Sequence, residues 1–329
     1  MTLKKTMIRG TGYALPSQIV TNEDLSKRVD TSDEWIRTRT GIEERRIAPP
    51  GMNNSDLAIE ASRKALDDAG ITAEEIDLII VSTITPDMVF PATACLVQHA
   101  IGAKHAATFD LEAACSGFIY GLSVARQYIA TGECTNVLVV ASEVLSRITD
   151  WTDRLTCVLF GDGAGAAILS ASDEGDSDFL SFFLGGDGKY GDILNLPAGG
   201  SRKPASHETV DAREHTMKMN GPEVFKAAVM KMNHSMRAVL KKAGYESQAI
   251  DLVIPHQANL RIIESLRKYL DLSEDKVYVN LQKYGNTSAA SIAIALGEVI
   301  ETGRLKRGQL VGLCAFGGGL TWAACILRY

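Results

Sequence analysis

VLKKAGYESQAIDLVIPH (residues 239–256) repeats KALDDAGITAEEIDLIIVS (residues 64–82), and this repetition decides the fold. Gly244 falls on Gly70, and Ile250-Asp251-Leu252 falls on Ile76-Asp77-Leu78. In both copies a helical pattern runs to a glycine stop, and after a polar turn a short apolar run reads as a buried strand. Further along, NTSAASIAIALGEVIETG (286–303) matches CSGFIYGLSVARQYIATG (115–132) at one constant offset. QLVGLCAF (309–316) then stands where NVLVVAS (136–142) stood. Both halves close on a Gly-rich turn before an apolar strand, FGDGAGAAILS (160–170) and FGGGLTWAACIL (316–327). Several matches in one order imply a duplicated unit.

The intervening segments follow the same alternation. Residues 55–70 predict a helix with a Ser55 cap and a Gly70 stop, 94–102 a second helix, 106–114 a strand running into a turn at Cys115, and 117–132 a third helix. Helices alternating with β-branched apolar runs define an α/β fold with largely buried sheets. We therefore expect two halves: residues 1–173, carrying a candidate nucleophile, and 174–329, carrying a connector and the partner residues. The segment 171–215, rich in Ser, Asp, Gly and Pro, reads as that connector.

Composition narrows the function. The chain has 329 residues, 34 Lys and Arg against 40 Asp and Glu, and a net charge of −6, which argues against a general nucleic-acid binder. No apolar run approaches the roughly 18 residues of a membrane span. The N-terminus has no apolar core behind its lysines, so a cytoplasmic location is expected. The six cysteines form no Cys-x-x-Cys pair and the histidines no ligand cluster, so free thiols and no metal site are expected.

AACSG places Cys115 at a strand-to-helix turn, where orphan amides and the helix dipole favour a thiolate. The repeat sets Asn286 at the equivalent position, and His256 at the end of the strand equivalent to IDLIIVS. If the halves pack about a pseudo-twofold axis, all three converge on one pocket at the strand ends. Imidazole and carboxamide can both donate to one developing oxyanion. Among Gly317-Gly318-Gly319, one amide can join that of Cys115 in an oxyanion hole. Gly161-Asp162-Gly163-Ala164-Gly165 reads as a turn rather than a nucleotide loop, because a strand pattern follows it.

TSDEWIRTRTGI (31–42), AACSGF, FGDGAGAA, IPHQANLRII, GNTSAAS and AFGGGLTW, taken in order, resemble the β-ketoacyl-acyl carrier protein synthase III family. The resemblance implies a thiolase-like fold, with mixed five-stranded sheets in a layered α/β/α/β/α core. It implies that Cys115 takes an acyl group from acyl-CoA, and that malonyl-acyl carrier protein then loses carbon dioxide and attacks the acyl-Cys115 carbonyl. His256 and Asn286 would hold the enolate oxygen, and the Cys115 and Gly318 amides the tetrahedral oxyanion. Coenzyme A thioester is then a substrate, and no cofactor is expected. By the same resemblance Trp35 and Arg154 sandwich the adenine of CoA and Arg39 contacts its phosphates. Phe90 reaches into the partner's acyl pocket in a homodimer, and Lys226, Arg261 and Lys268 dock the acidic carrier protein. Leu155, Cys314 and Leu320 depart from the family's usual residues. A synthase of secondary metabolism, a thiolase using Cys314 as a second thiol, and a noncatalytic binding subunit are the alternatives.

Overall fold

The computed structural model describes residues 3–172 and 179–329. The expected division between residues 173 and 174 lies outside the described residues. In the first half, β1 (Lys5–Ala14), β2 (Leu78–Ser82), β3 (Ala107–Leu111), β4 (Asn136–Val144) and β5 (Asp162–Ser172) form one sheet in the order β1-β5-β4-β2-β3. β2 runs parallel to β3 and β4, whereas β5 is antiparallel to β1 and β4. In the second half, β6 (Phe179–Gly186), β7 (Leu252–Pro255), β8 (Leu310–Gly317) and β9 (Thr321–Arg328) are ordered β7-β8-β9-β6. Parallel β7–β8 repeats β2–β4, and antiparallel β8–β9 repeats β4–β5. The duplication therefore extends to strand order and direction.

Two details differ from the expectation. Among the described residues the second sheet has four strands, and the fifth position shrinks to a single parallel bridge between Val253 and Val277. The segment 171–215 is also more than a connector, because it contains β6. That strand, FLSFFLGG, is an edge strand, a short apolar run inside a segment otherwise rich in Ser, Asp, Gly and Pro.

The helices of eight or more residues are α1 (Asp33–Thr40), α2 (Asn54–Ala69), α3 (Thr93–Ile101), α4 (Gly117–Thr131), α5 (Gly221–Ala243), α6 (Leu260–Tyr269) and α7 (Ala290–Glu301). α4 and α7 are the repeated pair and lie between the sheets, each touching strands of both. Ala290 through Val299 of α7 are all buried, as an inner layer requires. α2 and α3 cover the outer face of the first sheet, and α5 that of the second, which completes five layers. Asn53, not Ser55, caps α2; Ser55 sits in the first turn and donates its hydroxyl to Asp87 at 2.7 Å.

The expected turn at 161–165 is instead the start of β5. Its glycines serve packing: a Cβ on Gly165 would lie 2.5 Å from the Cβ of Ala293 on α7. Only glycine lets the central helix approach the strand that closely.

Candidate active site

The two repeated turns are built alike. Ala114 (φ +46°) precedes Cys115, and Gly285 (φ +66°) precedes Asn286. A positive φ costs an alanine roughly 1–2 kcal/mol, whereas Gly285, with ψ −159°, takes an extended positive-φ conformation open essentially to glycine alone. Gly317, at the end of β8, backs onto the first turn: a Cβ there would lie 2.5 Å from the Cys115 nitrogen and 3.2 Å from its Cβ. The first glycine of the run therefore serves Cys115 itself. Gly317→Ala should push the turn away and lower acylation about 100-fold, since a displacement near 1 Å costs that much. Acylation kinetics of a variant that still melts cooperatively would measure it.

Cys115, His256, Asn286, Ser288 and Gly318 open onto one cavity of about 1190 Å³ between the halves. Cys115 is half-buried and lines this cavity. Burial pushes its thiol up to about 12, outweighing the opposing pull of the neighbouring Ser288 hydroxyl. Burial thus opposes the thiolate that the helix end favours.

His256 follows β7 and is buried. Its Nδ1 lies 2.7 Å from Ser291 Oγ on α7, and that same oxygen accepts the Gln257 N–H at 3.3 Å. In the tautomer in which Ser291 donates to Nδ1, the hydrogen of the neutral ring lies on Nε2. Burial pushes His256 down to about 3, so it stays neutral across the physiological range. Gln257 fixes the turn, donating to the Pro255 and Tyr278 carbonyls at 2.8 and 3.1 Å and accepting from Asn280 N–H at 3.0 Å.

Asn286 does not cap a helix, because α7 begins four residues later. Its Oδ1 accepts the Ser288 N–H at 2.8 Å, which orients the amide and leaves Nδ2 as a donor. Its backbone is held by Leu159 O at 2.8 Å and by Gly161 N–H at 3.0 Å. Ser288, Ser291 and Gln257 escaped the sequence reading, since isolated polar residues carry no periodic signal. The repeat could have pointed to Ser288, which falls on Gly117.

The remaining expected residues divide into two groups. Trp35, Arg39 and Arg261 line the cavity, as do Val89, Leu155 and Phe225, the chain neighbours of Phe90, Arg154 and Lys226. Arg39 and Arg154 both stack on Trp35, at 4.7 and 5.3 Å from its ring centre. Arg154 also donates to the Asp30 carbonyl at 2.8 Å. Arg261 stacks on Phe225 at 5.3 Å. Phe90, 83% exposed, is not among the residues that line the cavity, and Lys226 and Lys268 are exposed outside it. Leu155 is 60% exposed at the rim, whereas Leu320 is buried in the core of the second half. Cys314 is fully buried in β8, opposite Pro255 and Ala324, and does not line the cavity. A thiolase reading therefore lacks its second thiol.

Two duplicated α/β halves that bring a cysteine from one and a histidine and an asparagine from the other into one cavity define a thiolase-like condensing acyltransferase. The family described as 3-oxoacyl-[acyl-carrier-protein] synthase III matches residues 109–188, and its C-terminal counterpart matches residues 240–329. The β-ketoacyl-[acyl-carrier-protein] synthase III of Caldanaerobacter subterraneus subsp. tengcongensis is 56% identical over 98% of this chain and 97% of its own. The 3-oxoacyl-[acyl-carrier-protein] synthase III of Aquifex aeolicus superposes with a TM-score of 0.91 at 49% identity, covering 98% of this chain and 100% of that one. The priming β-ketosynthase of the R1128 polyketide biosynthetic pathway gives 0.92 at 35% identity, covering 99% and 97%. The chain belongs to the β-ketoacyl-acyl carrier protein synthase III family.

Proposed function

We propose that the enzyme joins an acyl-CoA starter to malonyl-acyl carrier protein with loss of carbon dioxide, the condensation that initiates fatty-acid synthesis. Cys115 attacks the acyl-CoA carbonyl, a tetrahedral oxyanion forms against the amides of Cys115 and Gly318, and coenzyme A leaves. Malonyl-acyl carrier protein then enters and loses carbon dioxide, and its enolate attacks the acyl-Cys115 carbonyl. His256 Nε2–H and Asn286 Nδ2–H stabilise the enolate oxygen. Splitting the transfer at a thioester turns one difficult step into two. No electron transfer is involved, and coenzyme A enters only as a substrate thioester.

The observation that carries this reading is the paired aiming of two neutral donors: Ser291 on His256 Nδ1, and Ser288 N–H on Asn286 Oδ1, each leaving a hydrogen for the same cavity. Neutral donors suit a reaction that develops negative charge on a thioester oxygen.

Trp35, Arg39 and Arg154 bind the nucleotide end of CoA. A planar base inserted between Trp35 and Arg154 needs about 7 Å, two contacts of about 3.5 Å. At 5.3 Å the gap is closed, so Arg154 must swing off Asp30 to admit adenine. Arg261, on Phe225 at the rim, with exposed Lys226 and Lys268, gives an acidic carrier protein a local basic contact on an otherwise acidic chain. Met88, Val89 and Phe90, exposed by 45, 92 and 83%, form an apolar tip suited to a second subunit. A homodimer in which Phe90 enters the partner's acyl pocket is our reading, together with a cytoplasmic location.

Intact-mass analysis tests the reaction. The enzyme should gain one acyl group from acyl-CoA, and malonyl-acyl carrier protein should discharge it with release of carbon dioxide. An acyl adduct that malonyl-acyl carrier protein leaves untouched would refute the condensation. A panel of acetyl, branched and medium-chain starters read the same way defines the chain preference. The likeness to the R1128 priming enzyme favours a second reading, a secondary-metabolism synthase; it would prevail if a dedicated polyketide carrier protein were strongly preferred as acceptor.

A further inference from the structure

Gly317, which closes β8, and Thr321, which opens β9, pair across the three-residue turn Gly318-Gly319-Leu320. That turn belongs to the second half, yet it is tied to the nucleophile turn of the first. Thr321 Oγ1 donates to Ala113 O at 2.7 Å, and Gly318 O is its longer second partner at 3.4 Å. Ala113 immediately precedes Ala114, whose φ of +46° strains the turn. Ala113 O also accepts the Ser116 N–H at 3.1 Å. The Thr321 backbone is fixed separately, by Gly317 on one side and Gly186 of β6 on the other. Thr321 is half-buried and is not among the residues that line the cavity, whereas Ala114, Cys115, Gly317, Gly318 and Gly319 all line it. The hydroxyl therefore stands behind the wall that a substrate meets.

We propose that Thr321 is a positioning residue of the oxyanion hole, its hydroxyl fixing the separation between the turn that carries the Cys115 amide and the turn that carries the Gly318 amide. This rests on Cys115 being the acyl acceptor and on those two amides receiving the oxyanion. Two constraints set the separation. Contact sets its lower limit: a Cβ on Gly317 would lie 2.5 Å from the Cys115 nitrogen and 3.0 Å from the Ala114 Cβ, so the turns already touch. The Thr321 bond sets its upper limit, because a hydrogen bond weakens as its partners part. Strain at Ala114 favours relaxation of the turn, and a bond on the adjoining carbonyl opposes it. Two amides serve one oxygen only if they are held within about 0.5 Å of the working geometry, since such donors act by being in place beforehand.

The latch bears on one site of charge and not on the other. A tetrahedral oxyanion forms at the acyl carbonyl when Cys115 is acylated, and again when the enolate attacks. Decarboxylation places its charge on the malonyl thioester, at His256 and Asn286. Those residues are supported by Ser291 Oγ, by Ser288 N–H and by Leu159 O, none of which runs through Thr321.

Thr321→Val keeps the β-branched shape and the sheet pairing and removes only the donor, while Ala113 O retains its Ser116 N–H. Single-turnover acylation by acyl-CoA, followed by intact mass, should slow about 10- to 100-fold. Thr321→Ser restores the hydroxyl and should return acylation close to the wild-type rate. In a Cys115→Ala background, Thr321→Val should leave carbon dioxide release from malonyl-acyl carrier protein unchanged. A merely structural role would slow both reactions together. Acylation of the valine variant at the wild-type rate, a serine variant as slow as the valine one, or a parallel loss of decarboxylation overturns the proposal. If Thr321→Val does not fold, Thr321→Ala is compared with Thr321→Ser in the same two assays, and the same outcomes decide. A wild type that takes up no acyl group refutes Cys115 as the acceptor; the latch alone fails when the wild type is acylated and the variant is acylated equally fast.

Discussion

Cys115→Ala is expected to carry no acyl mass after incubation with any acyl-CoA, while slow decarboxylation of malonyl-acyl carrier protein persists. The sulfur is the reacting atom, and no other thiol can replace it. Cys314 and Cys325 are fully buried in the second sheet, and Cys134 and Cys157 are buried as well. Cys95 is half-buried but lies against Thr108 at 3.3 Å, outside the cavity lining. His256 and Asn286 are aimed by Ser291 and Ser288, neither of which depends on the sulfur to hold its partner in place. The enolate site therefore survives the substitution, and decarboxylation continues without a carbon acceptor. An acyl adduct on the variant would move the nucleophile elsewhere. Complete loss of both reactions in a folded variant would show that the two sites are not separable.

How far this geometry is legible in the chain depends on the kind of signal. β2, β4, β7 and β8 are buried on both faces, so each reads as an unbroken apolar run and its repeat stands out. Cys115 and Asn286 are found by aligning two copies of one turn, and His256 by the strand it ends. Groups that act through space escape this method. Glu143 sits one residue beyond the strand expected at 136–142, a lone charge whose partners come from the 83–85 loop. β6 is short and flanked by Ser-, Asp- and Gly-rich residues, so its apolar run FLSFFL is read as part of a connector. The closed contact of Arg154 with Trp35 joins residues far apart in sequence, at a distance that no spacing rule supplies.

Asn286→Ala should leave acylation of Cys115 close to normal and reduce condensation about 100- to 1000-fold, the usual consequence of losing one oxyanion donor. The difference follows from where charge develops in each step. In the proposed acylation the negative oxygen belongs to the tetrahedral acyl group, which is assigned to the Cys115 and Gly318 amides. In the proposed decarboxylation it belongs to the malonyl thioester, and the Asn286 Nδ2–H and the His256 Nε2–H are the two donors assigned to it. The substitution also frees the Ser288 N–H that Oδ1 now holds at 2.8 Å, so Ser288 loses part of its support. Some slowing of acylation is therefore expected, well below the loss in condensation. Asn286→Asp separates these effects, because a carboxylate still accepts from Ser288 N–H but cannot donate to an enolate. It should restore acylation and leave condensation as poor as in the alanine variant. Single-turnover acylation by intact mass, compared with carbon dioxide release from malonyl-acyl carrier protein, measures the two steps separately. Equal damage to both by Asn286→Asp would mean that Asn286 shapes the turn rather than stabilising the enolate.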